Sequence, residues 1–235
     1  MRGKYIMGIK IKINKQYILF DLDGTITDSK LGILKSFQYA AKHFGIEIKD
    51  EDFDDYMFLI GPPIRDCFKQ LGIFNDEEFE PVIAKYREYL LPKGIYENKL
   101  YPGIEDLLKN LRNAGKTIIL ATSKNEQLAN KILDYFKILK YFDFTAGADP
   151  DGRRSKKSEV ILYALEQYGV LSDEDKLKAV MVGDRNHDII GAAKAGLESV
   201  GVLYGYGSEE ELSSGEYKAT YIVKNVGELT ELLFL

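Results

Sequence analysis

Asp21 and Asp23 stand one residue apart, just after the apolar run Tyr17-Ile18-Leu19-Phe20 and just before Gly24-Thr25. Like-charged carboxylates this close repel and are costly to desolvate, so the pair implies a cation or a shared proton. In a strand, side chains two apart face the same way, which points Asp21 and Asp23 to one target and Leu22 to the other side. Gly24 then permits a turn or a close backbone approach. A strand ending in an Asx-type turn uses the same residue types, so the pair gains meaning only from partners further along the chain.

Such partners exist. Thr122-Ser123-Lys124 follows the apolar residues 118–121, and Gly183-Asp184-Arg185-Asn186-His187-Asp188 follows the apolar residues 180–182. Lys156-Lys157 opens a helical pattern between them. Singly, these are helix caps, a solvated face and a turn followed by a helix-start acid. Together they supply what phosphoryl transfer needs: a carboxylate nucleophile, a second carboxylate for proton traffic, donors for phosphoryl oxygens, a lysine, and carboxylates for a hard cation.

These clusters must be positioned by the elements before them. After the first motif, apolar residues recur at helical spacing over 31–44, and shorter helical stretches follow at 51–58, 63–71 and 76–90, divided by Gly61-Pro62-Pro63 and Gly72-Ile73. From Tyr101 the pattern alternates. Strands are expected at 117–121, 142–146, 179–182, 199–203 and 221–223, with helices at 104–113, 127–136, 159–168, 188–195 and 226–233. This predicts an α/β fold, a parallel sheet core covering 1–27 and 99–235, with an inserted α-helical domain at 28–98. Ligands of open parallel sheets bind beyond the carboxyl ends of the strands, so each polar cluster falls where a site belongs.

The chain has 235 residues, 45% of them hydrophobic, and a net charge of −5, which argues against a general nucleic-acid binder because a phosphate backbone calls for excess Lys and Arg. Cys67 is the only cysteine, so neither an internal disulfide nor a cysteine zinc site is expected. With no membrane-length apolar run and no signal-peptide core at the start, a soluble cytoplasmic protein is expected, with Met7 a second candidate start.

The DxDGT run, the Thr after a hydrophobic strand, the helix-start Lys and the Gly-Asp-Arg-x-x-x-Asp run resemble the haloacid dehalogenase superfamily, in its phosphoglycolate phosphatase-like branch with a helical cap. The stretches Gly61-Pro62-Pro63-Ile64-Arg65 and Gly152-Arg153-Arg154-Ser155-Lys156-Lys157 resemble that branch too. The resemblance implies a Rossmann-like core and a phosphatase in which Asp21 attacks phosphorus and Asp23 serves as general acid and base. It implies Mg²⁺ held by Asp21, the Asp23 carbonyl and Asp184, with Asp188 beside or on the metal. Thr122 and Lys157 would hold phosphoryl oxygens, aided by backbone donors at Leu22, Gly24 and Ser123.

The family commonly follows this lysine with proline, whereas Ser158 follows here, which leaves Lys156 as a rival; Lys157 is preferred because it precedes the expected cap residue Ser158. Arg65 is a candidate for a substrate carboxylate or second phosphate, with a solvated surface arginine as the alternative. Tyr39, Tyr56, Tyr86 and Tyr89 could stack on a base or form core; neither His43 nor His187 is expected to ligate a metal. The expected partner is a small phosphorylated metabolite, with phosphoglycolate ahead of nucleoside monophosphates and sugar phosphates and the chain a monomer or homodimer. A phosphomutase and a non-catalytic phosphate-binding regulator are the alternatives.

Overall fold

The structure is a computed structural model that describes residues 12–72, 74–75, 77–149 and 154–234. Met7, Ile73, Asp76, Gly152 and Arg153 lie outside them. In chain order the elements are β1 (Tyr17–Phe20), β2 (Thr27–Asp28), α1 (Lys30–His43), α2 (Ile64–Leu71), α3 (Phe79–Tyr89), β3 (Lys99–Leu100), α4 (Ile104–Asn113), β4 (Thr117–Asn125), α5 (Glu126–Tyr135) and β5 (Phe144–Ala148). There follow α6 (Lys157–Glu166), α7 (Asp173–Lys176), β6 (Ala179–Gly183), α8 (Asn186–Ala195), β7 (Glu198–Val202), α9 (Glu209–Ser213), β8 (Tyr221–Val223) and α10 (Val226–Leu233).

Six strands form one parallel sheet in the order β5-β4-β1-β6-β7-β8, while β2 and β3 make a separate two-residue antiparallel ribbon. The central strands read as unbroken apolar runs because both faces are covered. Ile18 and Phe20 enter one core layer with Leu120, Val182 and the apolar faces of α4, α5 and α10. Leu19 enters the opposite layer with Ile119, Met181 and residues of α6 and α8. The fold is therefore the expected Rossmann-like α/β arrangement.

Between β2 and β3 the chain is helical. Phe37 of α1, Phe68 of α2 and Tyr86 of α3 meet at ring separations of 4.8–6.1 Å and form the centre of this block. Tyr86 is thus a core residue. Tyr39 and Tyr89 stack on each other at 5.7 Å, and Tyr56 lies against Phe58, so these tyrosines are occupied by neighbours within the block.

Several boundaries differ from the expected ones. The helix expected at 51–58 is a 3-10 helix, Asp50–Leu59, because its acidic run leaves only Phe53 and Leu59 to bury. The helix expected from Asp76 starts at Phe79, since Asn75 Oδ1 accepts from the Glu77 and Glu78 amides in a turn that precedes it. Strand β5 begins two residues later than expected, and β4 runs on to Asn125 with an irregularity in its pairing after Ala121. The β2/β3 ribbon, α7 and α9 were not expected; all are short. Among the described residues, no helix is long and apolar enough to cross a membrane.

Candidate active site

Strand order explains the meeting of distant residues. The chain passes from β1 outward to β4 and β5, then returns to the other side of β1 with β6, so β1 lies at the point where the order reverses. Phe20 pairs with both Leu120 and Val182, and the Asp21 amide donates to Val182 O at 3.0 Å. The three adjacent strand ends therefore bring Asp21, Thr122 and Asp184 side by side, all buried.

A fourth element completes the group. Lys157, in the first turn of α6, reaches across to the strand ends, its Nζ 2.7 Å from Asp21 Oδ1, 2.8 Å from Asp188 Oδ1 and donating to Ala121 O at 3.1 Å. Burial alone would make this ammonium easier to deprotonate, but Asp188 and Asp21 outweigh it and hold it charged. Asp188 sits below the usual carboxylate range: burial pushes it up, and the charge and hydrogen bond of Lys157, together with His187 and the Arg185 amide, more than reverse that. Its Oδ2 accepts from the Arg185 amide at 3.1 Å.

Asp21 and Asp184 go the other way. Burial, partly offset by Lys157, raises Asp21 to about 6. Burial and then the charges of Asp188 and Asp21 drive Asp184 well above its usual range, although Asp184 Oδ2 accepts from the Tyr206 amide at 2.7 Å. One lysine thus faces three buried carboxylates whose oxygens lie within 4.8 Å of one another. Although Lys157 is at ion-pair distance, Asp21 Oδ1 and Asp188 Oδ1 have no hydrogen-bond partner of good geometry among the described residues. Buried all-oxygen donors short of positive charge suit a hard divalent cation.

Backbone closeness makes the cluster tight. Gly24 has φ +81°, and a Cβ there would stand 2.1 Å from Asp184 Oδ2. From the other side, a Cβ on Gly205 would stand 2.3 Å from Gly24 O and 2.4 Å from Asp184 Cβ. No side chain fits between the first motif, Asp184 and the loop after β7.

The haloacid dehalogenase-like hydrolase family matches residues 18–202 of the chain. The chain belongs to that family. A 5'-nucleotidase from Pseudomonas aeruginosa is 36% identical over 216 residues, covering 92% of this chain and 94% of its own. The tyrosine-protein kinase PtkA from Mycobacterium tuberculosis is 38% identical over 218 residues, covering 93% of this chain and 72% of its own. Among solved structures, a predicted phosphatase from Clostridium acetobutylicum superposes with a TM-score of 0.86 at 42% identity, covering 93% of this chain and 98% of that one. The chain falls in the phosphatase branch of the haloacid dehalogenase-like hydrolases.

The remaining expected site residues of this hydrolase separate clearly. Lys157 is at the cluster and Lys156 is exposed. The α6 cap position is Lys156 rather than Ser158, because Glu159 turns back to accept from the Ser155 and Lys156 amides. Thr122 Oγ1 accepts from the Lys124 amide at 3.2 Å, with Ser123 partly buried beside it, and Asn125 rather than either of them caps α5. Leu22 contributes its side chain to the core, leaving only its backbone for a ligand. Arg65 is not brought to the cluster: it is half exposed on α2 and pairs with Glu80 of α3. His43 is exposed; His187 is half-buried, and its desolvation lowers its imidazole to about 4.

Four residues beside the cluster, Lys124, Arg185, Tyr204 and Tyr206, had no role assigned from the sequence. The Asp23 carboxylate is not among the three converging ones; its Oδ2 pairs with Lys124 Nζ at 2.7 Å, with both side chains nearly buried at 8% and 10% exposed. Tyr204 and Tyr206 lie on the loop after β7; the Tyr204 hydroxyl donates to Thr25 O and the Tyr206 hydroxyl to Asp28 Oδ1, each at 3.1 Å. Arg185 extends from α8 to the helical block. Lys124 was visible as the end of a Thr-Ser-Lys run, but its partner is a residue 101 positions away.

Proposed function

We propose that this hydrolase cleaves a small phosphomonoester in two displacements, with Asp21 as nucleophile and Asp23 as general acid and base. The observation that carries the proposal is the buried set of Asp21, Asp184 and Asp188 around Lys157 at the strand-order reversal, with Asp23 held apart from it. An Asp21 oxygen forms a bond to phosphorus as the bond to the leaving oxygen breaks, and Asp23 gives that oxygen its proton. Asp23 then takes a proton from water, whose oxygen attacks phosphorus and releases phosphate from Asp21.

The residues support distinct roles in this scheme. Lys157 keeps Asp21 ionised and faces the phosphoryl oxygens together with Thr122 and the backbone amides of 22–24 and 123. Among the described residues Asp23 Oδ1 is buried without a hydrogen-bond partner while Oδ2 is taken by Lys124, which leaves Oδ1 to carry the proton. Mg²⁺ would be held by the Asp21 and Asp184 carboxylates and the Asp23 carbonyl, with Asp188 orienting Lys157 and the ion's surroundings. When bound, the ion supplies positive charge that lets a phosphate dianion approach a carboxylate.

The helical block, taken as 28–98, would serve as a cap that excludes bulk water and selects the leaving group. Phosphoglycolate-like substrates fit the sequence resemblance, and the relation to a 5'-nucleotidase keeps nucleoside monophosphates as competitors. The relation to PtkA favours a second reading, in which a hydroxyl acceptor replaces water. The test is phosphate release from phosphoglycolate, nucleoside 5'-monophosphates, sugar phosphates and p-nitrophenyl phosphate, with and without Mg²⁺. Asp21→Asn should lower kcat by about 10⁴-fold or more while keeping the fold. Retained activity would remove Asp21 as nucleophile, and phosphate recovered on an added acceptor would favour transfer over hydrolysis.

A further inference from the structure

Arg185 lies between Asp184 and Asp188, yet its side chain points to the helical block. Its Nη1 donates to Ile60 O at 2.6 Å and to Met57 O at 3.4 Å, and its Nε pairs with Glu211 Oε1 of α9 at 2.9 Å. The same Glu211 oxygen accepts from the Asn186 amide at 2.9 Å. The Arg185 side chain is only 13% exposed. Met57 and Ile60 are at the end of the 3-10 helix Asp50–Leu59, where backbone carbonyls carry partial negative charge, and Met57 O already accepts from the Ile60 amide at 3.1 Å. Of this turn, Leu59 O is taken by the Cys67 thiol, which donates at 3.2 Å, so Arg185 gives Ile60 O a hydrogen bond and Met57 O a second, longer one.

His187 makes the second half of the seat. Its ring lies so close to Gly61 that a Cβ on Gly61 would be 2.7 Å from His187 Cε1, and Gly61 has φ +110°, which disfavours any side chain. The peptide 185–187 therefore carries the docking surface for residues 57–61, while its two neighbours, Asp184 and Asp188, belong to the catalytic cluster. The seat and these carboxylates share a backbone, and the Arg185 amide itself donates to Asp188.

We propose that Arg185 is a positioning residue that couples seating of the 57–61 turn to placement of Asp184 and Asp188, so that the carboxylate cluster is assembled fully only with the helical block closed. With the turn seated, the guanidinium is satisfied by two carbonyls and Glu211. With the turn lifted away, it retains Glu211 and gains water, so both states satisfy the charge and the equilibrium is movable. The Arg185 guanidinium contacts Met57 O, Ile60 O and Glu211, and it acts through the carboxylates beside it in the chain. Lysine, whose three donors sit on one nitrogen, cannot span all three contacts at once.

The proposal rests on the phosphatase assignment for its kinetic readout but not for its structural one. Arg185→Met, Arg185→Lys and Gly61→Ala should be compared with the wild-type chain by hydrogen exchange and by p-nitrophenyl phosphate hydrolysis with Mg²⁺. Gly61→Ala disturbs the seat from the opposite side without changing Arg185. Arg185→Met and Gly61→Ala should both speed exchange of amides 57–61 and 185–188 together, and lower kcat/KM about tenfold or more through both kcat and KM. Arg185→Lys should recover part of each effect.

Faster exchange at 57–61 with unchanged exchange at 185–188 and unchanged kcat/KM would overturn the coupling. So would unchanged exchange in all three variants. Should Arg185→Met fail to fold, the Arg185→Lys and Gly61→Ala pair carries the same comparison. A wild-type chain that hydrolyses nothing would refute the phosphatase assignment, and the joint exchange of the two segments would still decide the coupling.

Discussion

At the level of single residues, charge accounting decides the site. Asp21, Asp184 and Asp188 are buried together with one ammonium, Lys157, touching two of them. Replacing Lys157 by Met keeps the length of the side chain and removes the charge, leaving two buried carboxylates uncompensated. We expect a loss of about 3–5 kcal/mol in chemical denaturation without metal, and a smaller loss with Mg²⁺ present, because a cation would share the work of neutralisation. An identical loss with and without Mg²⁺ would place the cation elsewhere. Asp21 and Asp184 were legible because each follows a strand whose apolar run is unmistakable, and Lys157 and Asp188 because each lies at the start of a helical pattern. Lys124 and Arg185 were not, since their partners Asp23, Ile60 and Glu211 are defined only by tertiary packing.

At the level of elements, the strands that end at the site were legible and the loops that tighten it were not. β1, β4 and β6 are covered on both faces, so their composition reports their state directly. The Leu203-Tyr204-Gly205-Tyr206-Gly207 loop has no periodicity, yet it delivers the amide that holds Asp184 Oδ2. Gly205→Ala places a Cβ against Gly24 O and Asp184 Cβ, neither of which is a flexible chain end. The expected outcome is about 1–3 kcal/mol of destabilisation and a fall in kcat/KM of at least about tenfold, read by denaturation and by phosphate release. Tyr206→Phe is the contrast. It deletes the hydroxyl bond to Asp28 and keeps the amide bond to Asp184, so activity should stay within about twofold of wild type if the backbone is what holds Asp184. A larger loss would show that the tie to Asp28, at the entry to the helical block, also sets the carboxylate.

At the level of the whole molecule, the cluster makes stability depend jointly on pH and on cation. Asp21 is raised to about 6 from an ordinary value near 3.8, chiefly by burial, and Asp184 is raised well above its ordinary value, also chiefly by burial. A carboxylate whose proton affinity is higher in the folded than in the unfolded state stabilises the fold fully below its unfolded value, and that contribution is lost as pH rises through its folded value. For Asp21 the metal-free chain should therefore lose stability between about pH 4 and pH 6. Asp188, held low by Lys157, works in the opposite sense: its contribution is present above the ordinary carboxylate value and is lost as pH falls through its lowered one. A divalent cation that binds the ionised cluster competes with protons on Asp21 and Asp184, and it stabilises the fold by mass action. The rise in thermal midpoint on adding Mg²⁺ should accordingly be larger at pH 7.5 than at pH 5, and Asp184→Asn should flatten the difference. A shift of equal size at both pH values, or one untouched by Asp184→Asn, would mean that the cation stabilises this chain somewhere other than the strand ends where Asp21 and Asp184 meet.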